Sequence, residues 1–431
     1  MNKIIKKNRK QRRHEEKLLR KAEKKQKKQS ANHVQAMFSK AMNLHQTKSP
    51  EEVKQFYDEK LNDKKTPLDE LELYGMSAIE FGSFEVGIKL LDRALLQVPD
   101  STEVLYYLAS TYFKLQKLDQ SLQYLQKIMI IAPSHFPCHV LLASIHLEKN
   151  ELKTAIDYCQ KALTLKRESD EVLTIIGEAF LRQGNSKEAM SALKQSYIVN
   201  PIDTRTLSLL FVALSQAKDD LNLEEIYCYD KIIRKYTPGR PDGVDDFLEF
   251  YQSVVKLIKN HPHLQKSPKG LATQNGSQTI GDLLTSSKHP LLQVIEHQIH
   301  LAVKNHVTAL ELSEKHPMVL AAPSEYRIAS WAVVLDNEGY QTPHVHLDGW
   351  LSGVYYLNVP KEIEEELKGE AGYLKFGTWR EGLGTNNSYK VYSLKPETGM
   401  IATFPSFLWH KTIPFKSDDN RVCIAFDIIP V

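Results

Sequence analysis

Apolar and small residues recur along this chain in blocks that repeat every 34 residues. Gly75, Ala109, Ala143 and Gly177 stand on that grid, as do Gly87, Ser121, Ala155 and Ala189, and Leu91, Leu125, Cys159 and Leu193. In helix-turn-helix units small residues let two helices approach closely, and larger apolar residues fill the groove between neighbours. Pro99, Pro133 and Pro201 keep the same register, with Arg167 where a fourth proline would fall. A proline there stops the second helix of a unit, because its ring and missing N–H cannot continue the helix. The grid predicts four helical pairs over 68–202. Helical patterning continues through 207–233 and 247–258, interrupted at Pro238 and Pro241.

The pattern then changes. His261-Pro262, Ser267-Pro268, Gly270, Asn275-Gly276 and Gly281 read as a linker over 261–280. One more amphipathic helix follows, with Leu292, Ile295, Ile299, Ala302 and Val303 on one face, and it ends near Pro317. From about residue 325 the apolar period shortens toward two, predicting strands at 326–335, 341–347, 351–359, 372–377, 389–395, 399–404, 408–414 and 421–429. Short strands without intervening helices imply a closed or double-sheet β architecture such as a jelly roll. The fold class is therefore multidomain α + β, an α-solenoid of helix-turn-helix repeats followed by a β-barrel. Its parts are a basic arm over 1–45, extended or helical, a solenoid over 46–260, a linker over 261–280, and a β-domain with its leading helix over 281–431.

Composition adds one asymmetry. The 431 residues are 42% hydrophobic and 25% charged, ordinary globular values, but residues 1–30 hold fourteen Lys or Arg against Glu15, Glu16 and Glu23. Such an arm suits contact with a polyanion. It lacks the interleaved aromatics that stack on bases, so binding to nucleic acid there would be electrostatic and unspecific. No apolar run approaches the roughly 18 to 20 residues of a membrane span, and an apolar secretory leader is missing, which together predict a cytoplasmic protein. Cys138, Cys159, Cys228 and Cys423 show no paired spacing and read as core residues.

Candidate chemistry lies in the β-rich part. His344 and His346 sit two apart in Pro343-His344-Val345-His346-Leu347-Asp348, so on a strand both rings share a face and can offer a nitrogen to one ion. Leu351-Ser352-Gly353-Val354-Tyr355-Tyr356-Leu357 follows. His410 lies 64 residues beyond His346, closing a run that contains Phe404-Pro405-Ser406, and Arg421 opens the last strand. Two distant strand elements that each supply ligands are how a barrel builds an open facial metal site, and an arginine fork suits a cofactor carboxylate.

The repeats resemble the tetratricopeptide family over about 68–202, with Tyr112 and Phe180 fitting its bulky positions and Ala78 and His146 departing from them. That resemblance implies a surface for docking a protein or peptide. Residues 275–431 resemble the double-stranded β-helix oxygenases that use Fe(II) and 2-oxoglutarate, in particular a bacterial and phage family with His-x-His, Leu-Ser-Gly-Val-Tyr-Tyr and Phe-Pro-Ser-x-x-x-His. By that resemblance His344, His346 and His410 are the metal-binding and catalytic residues, while Arg421 and Tyr356 meet the distal carboxylate of 2-oxoglutarate. The superfamily's commoner His-x-Asp form is also present as His346-x-Asp348, so Asp348 could replace His344, and its Arg-x-Ser/Thr is here Arg421-x-Cys423. The implied activity is hydroxylation by a dioxygenase. Two readings stand beside it: a cupin-like metalloprotein that needs no 2-oxoglutarate, and a non-enzymatic interaction protein built on the repeats.

Overall fold

The computed structural model of the chain describes residues 35–45, 47–240, 244, 246–285, 287–367 and 369–431. Of the expected basic arm, residues 1–34 lie outside the described residues, and 35–45 are helical. Eight helices occupy the 68–202 grid: Leu68–Glu80, Phe84–Gln97, Thr102–Lys114, Leu118–Ile131, Phe136–Glu148, Leu152–Leu165, Asp170–Arg182 and Ser186–Val199. The second helix of each pair stops two residues ahead of Pro99, Pro133, Arg167 or Pro201. The helix before Arg167 ends at the same place as its proline-terminated counterparts, so packing of the unit sets that end and proline only reinforces it. No helix among the described residues is long and apolar enough to cross a membrane.

The small grid residues sit where helices touch. A Cβ added to Gly177 would lie 2.4 Å from Leu193 Cγ, closer than carbon atoms approach, so only glycine lets Asp170–Arg182 rest on Ser186–Val199. Ala109 is fully buried, and its carbonyl accepts a 2.7 Å hydrogen bond from the Ser121 hydroxyl, another grid residue.

The chain divides into two compact units, one ending at Ile145 and the other running from His146. The second holds the last repeats together with the β-sheet. Trp409 Nε1 donates to the Ser208 carbonyl at 2.9 Å, and the Tyr389 hydroxyl donates to Asp220 at 2.9 Å. Glu178, almost completely buried, takes Arg182 and Arg205 from the helices and Arg380 from the β-domain at 2.6, 2.8 and 2.7 Å.

Among the described residues ten antiparallel strands make up the sheet: β1 Arg234–Tyr236, β2 Leu264–Lys266, β3 Thr273–Thr279, β4 Tyr326–His344, β5 Leu351–Asn358, β6 Leu374–Thr378, β7 Ser388–Leu394, β8 Ile401–Pro405, β9 His410–Thr412 and β10 Arg421–Pro430. Their order is β1-β8-β5-β10-β4-β9-β6-β7, with β3 also on β4 and β2 on β3. Two of the expected strands are joined in β4. Its Tyr326–Leu335 stretch pairs with β10, and beyond Glu338, whose φ is 59°, Gln341 and His344 pair with β9. That long, bent strand curls the sheet, so Phe404 of β8 meets Phe376 of β6 with ring centres 4.9 Å apart although the two strands are far apart in the order. The stretch 261–280, expected as a linker, carries β2 and β3 as a hairpin on β4. Helices Phe247–Lys259 and Pro290–Thr308 cover the outer side through Tyr251–Tyr355 at 3.2 Å and His306–Thr403 at 2.8 Å. All five apolar residues expected on one face of the second helix are buried.

Candidate metal centre

Strand alternation decides which side chains enter the curl. Register pairs Cys423 with Tyr356, Ala425 with Val354 and Asp427 with Ser352, so these residues share the inner face, and Arg421 joins them two positions before Cys423. On the opposite wall His344, the last residue of β4, stands directly across from His410, the first of β9. His346 lies just past β4, anchored by its backbone N–H donating to the Ser406 carbonyl at 3.0 Å.

His344, His346 and His410 converge: one ring nitrogen from each lies within 4.8 Å of the other two. Among the described residues they are the group of this kind, and Asp348 is exposed and outside it. Each ring has its Nδ1 committed. His344 Nδ1 faces the Thr342 carbonyl at 2.7 Å, and His410 Nδ1 faces the Leu408 carbonyl at 2.8 Å. His346 Nδ1 faces both carboxylate oxygens of Asp427 at 2.7 and 2.8 Å. A carbonyl or carboxylate oxygen only accepts, so each Nδ1 donates there and Nε2 is the ring nitrogen left to face a metal. Burial, then the neighbouring His346, lowers the His344 pKa to about 3. Burial followed by His344 holds His410 well below its ordinary value. Uncharged imidazoles with fixed tautomers and free lone pairs are the state a divalent transition metal requires. Phe404 and Phe376 lie 4.8 and 6.1 Å from the His410 ring and form the apolar wall of the cluster.

Arg421 is 1% exposed, yet its Nε and Nη1 have no hydrogen-bond partner. Its guanidinium lies 4.8 Å from the centre of the Tyr356 ring, whose hydroxyl is likewise buried without a partner. Burial pushes the Tyr356 pKa up to about 12, with Arg421 acting against it. Asp419, two residues before Arg421, instead accepts from Asn358 Nδ2 at 2.9 Å. A buried, unpaired cation beside a phenol that stays protonated is costly unless an anion completes it. The residues present therefore fit both a metal held by three imidazoles and a carboxylate held by Arg421 and Tyr356.

Sequence reasoning missed three residues here. Asp427 orients His346, the Ser352 hydroxyl donates to Asp427 at 2.6 Å, and Ser406 bonds Ser352 at 2.8 Å. A charged residue at an inward position of the last strand, six residues past Arg421, was the available signal. Among the described residues the exposed His297 joins no such cluster, and His300 bonds Tyr326 at 2.9 Å. Cys138, Cys159 and Cys423 are buried, and all four cysteines are free.

Residues 75–136 and 136–169 match tetratricopeptide repeat models, and 329–427 match the model described as "Putative 2OG-Fe(II) oxygenase". A tetratricopeptide repeat-containing protein of Methanocaldococcus jannaschii, MJ1428, is 24% identical over 219 residues, 51% of this chain and 37% of the relative. YpiA of Bacillus subtilis, also tetratricopeptide repeat-containing, is 30% identical over 127 residues, 29% of this chain and 30% of the relative. The chain thus spans about a third of the length of these curated relatives. Among solved structures, a MamA protein aligns at 19% identity over 35% of this chain and 82% of its own, with a TM-score of 0.32. The chain is thus similar to tetratricopeptide repeats over 75–169 and, over 329–427, to the family whose model is described as "Putative 2OG-Fe(II) oxygenase".

Proposed function

We propose that the C-terminal domain is an Fe(II)- and 2-oxoglutarate-dependent dioxygenase that hydroxylates a peptide or protein side chain brought to it by the repeats. The observation that carries this reading is the coincidence inside one curled sheet of three converging imidazoles and a buried arginine with two unused donors. His344, His346 and His410 would hold the metal, and Arg421 with the Tyr356 hydroxyl would hold the distal carboxylate of 2-oxoglutarate. Bound together, these two groups would use dioxygen to couple oxidative decarboxylation of 2-oxoglutarate, to succinate and carbon dioxide, with hydroxylation of a C–H bond.

The chain's own contribution is positional and electrostatic. The Nδ1 contacts of the three histidines fix each ring's orientation, so that Nε2 is the nitrogen that would meet the metal. The Arg421 fork neutralises an anion in a dry site, where charge-assisted hydrogen bonds are strongest. Phe376 and Phe404 exclude water beside His410, and so protect reactive species from side reactions. Tetratricopeptide arrays generally offer a surface for an extended partner, which is the basis for placing the substrate in a polypeptide. The test is anaerobic titration of the chain with Fe(II) and then 2-oxoglutarate, followed by visible absorbance. A weak metal-to-ligand charge-transfer band that saturates with 2-oxoglutarate is expected. Iron binding without any response to 2-oxoglutarate would support a cupin-like metalloprotein instead.

A further inference from the structure

The usual facial set for this chemistry is two imidazoles and one carboxylate, so that one negative charge sits directly on the metal. Here the three converging side chains are all histidines, and Asp348, the acid nearest to them in sequence, faces solvent. A buried carboxylate stands one residue further out. Asp427 is 8% exposed, and both of its oxygens lie within 2.8 Å of His346 Nδ1. Every partner of that carboxylate is a donor: the His346 ring N–H, and the Ser352 hydroxyl at 2.6 Å.

We infer that Asp427 is a positioning residue of the metal centre, supplying through His346 the negative charge that a carboxylate ligand would otherwise supply directly. The inference rests on the metal-site part of the function proposed above. Counting charge, three neutral imidazoles plus Asp427 carry one negative charge, the same as two imidazoles plus a carboxylate ligand. A carboxylate accepting the Nδ1 proton makes Nε2 a stronger donor and fixes the ring's rotation. The surroundings serve this contact. Ser352 gives its only hydroxyl proton to Asp427, so the Ser406 hydroxyl donates to Ser352 at 2.8 Å. Ser406 in turn accepts the His346 backbone N–H at 3.0 Å, closing a loop that ties carboxylate and imidazole to one another. Gly349 lets that loop close, since a Cβ there would lie 2.4 Å from Ser406 Oγ and 3.5 Å from Asp427 Cβ. The serines of the Leu-Ser-Gly and Phe-Pro-Ser motifs thereby acquire a common purpose, which is to hold one buried acid in place.

Asp427→Asn keeps the size and one acceptor but removes the charge, whereas Ser352→Ala keeps the charge and removes one bond that holds it. In the full chain, Fe(II) affinity is measured anaerobically by chelator competition, the Fe(III)/Fe(II) potential is measured on the loaded protein, and thermal unfolding of the metal-free protein reports on folding. Asp427→Asn is expected to weaken Fe(II) binding by about 10- to 100-fold, the usual effect of losing a residue that orients a metal ligand. It should also raise the potential, because the more positive oxidised ion loses more from the missing charge. Ser352→Ala should shift both quantities in the same direction by less, and it carries the test if Asp427→Asn does not fold. A folded Asp427→Asn protein, or failing that a folded Ser352→Ala protein, with unchanged Fe(II) affinity and potential overturns the inference and leaves the oxygenase reading standing. Fe(II) binding without 2-oxoglutarate binding overturns the oxygenase reading, and the Fe(II) affinities still decide the role of Asp427. An unsubstituted chain that binds no Fe(II) overturns both.

Discussion

Arg421 is the residue whose surroundings make the sharpest demand. Its charge is buried, two of its donors are unused, and the aromatic ring beneath it cannot neutralise it. Hydrogen bonds to charged groups are worth about 1.5 to 3 kcal/mol, so Arg421→Ala should weaken 2-oxoglutarate binding by about one to two orders of magnitude while leaving iron bound. Titration of the iron-loaded variant checks this, with Arg421→Lys expected to recover only part of the loss because it lacks the fork. At the metal, His410→Ala should strip iron while Asp348→Ala, altering an exposed side chain, should leave iron content unchanged. Full iron occupancy in the His410 variant would count against the triad. These residues were legible in the sequence because their spacing within short motifs carries the chemistry. Asp427 was not, since it meets His346 and Ser352 only through the register of β10 on β5, across 81 and 75 residues of chain. No local pattern announces a contact of that range.

At the scale of elements, the 34-residue grid translated directly into helices, because each small residue on it marks a contact that a larger one would break. Gly177→Leu should overpack the contact with Leu193, and Ala109→Leu should crowd a fully buried site, each by about 1 to 3 kcal/mol, read from denaturant titration. Unchanged stability in both would make the period accidental. The strands were less even. Apolar alternation revealed β4 to β10, but β3 is Thr-Gln-Asn-Gly-Ser-Gln-Thr, whose pairing comes from backbone bonds to β4 and β2 rather than from an apolar face. Its composition therefore read as a loop. Glu178 shows the opposite case, a buried charge on a helix held by partners the helix pattern does not reveal. Burial alone would raise its pKa, but Arg205, Arg182 and Arg380 outweigh it and bring the value to about 2 from an ordinary 4.5. A depressed carboxyl pKa contributes stability that is complete above the unfolded value and lost as pH falls toward the folded one. Stability of residues 146–431 should accordingly decline between about pH 4.5 and 2, and Glu178→Gln should flatten that part of the profile while costing about 3 kcal/mol near neutrality.

For the whole molecule, what matters is that the last repeats and the sheet belong to one compact unit. Sequence placed a linker over 261–280, where proline, glycine and asparagine accumulate; those residues carry a hairpin of the sheet, within the unit that runs from His146. The last repeats are tied to the β-domain by Glu178 with Arg380, by Ser208 with Trp409 and by Asp220 with Tyr389. Elements that share a core and polar bonds unfold together, so a ligand of the β-domain should stabilise the last repeats as well. At a free concentration 100 times its Kd, a ligand that binds only the folded state adds about 2.7 kcal/mol. Hydrogen exchange measured segment by segment, with and without Fe(II) and 2-oxoglutarate under anaerobic conditions, should show slower exchange in the sheet and equally in Asp170–Arg182 and Thr204–Ala217. Leu68–Glu80 and Thr102–Lys114, in the other unit, should be unaffected. If loading protects the sheet but leaves Asp170–Arg182 exchanging as before, the shared polar bonds do not couple the two, and the last repeats behave as an independent module. If protection reaches Leu68–Glu80 as well, the two units unfold as one, and docking on the repeats would be coupled energetically to occupancy of the metal centre.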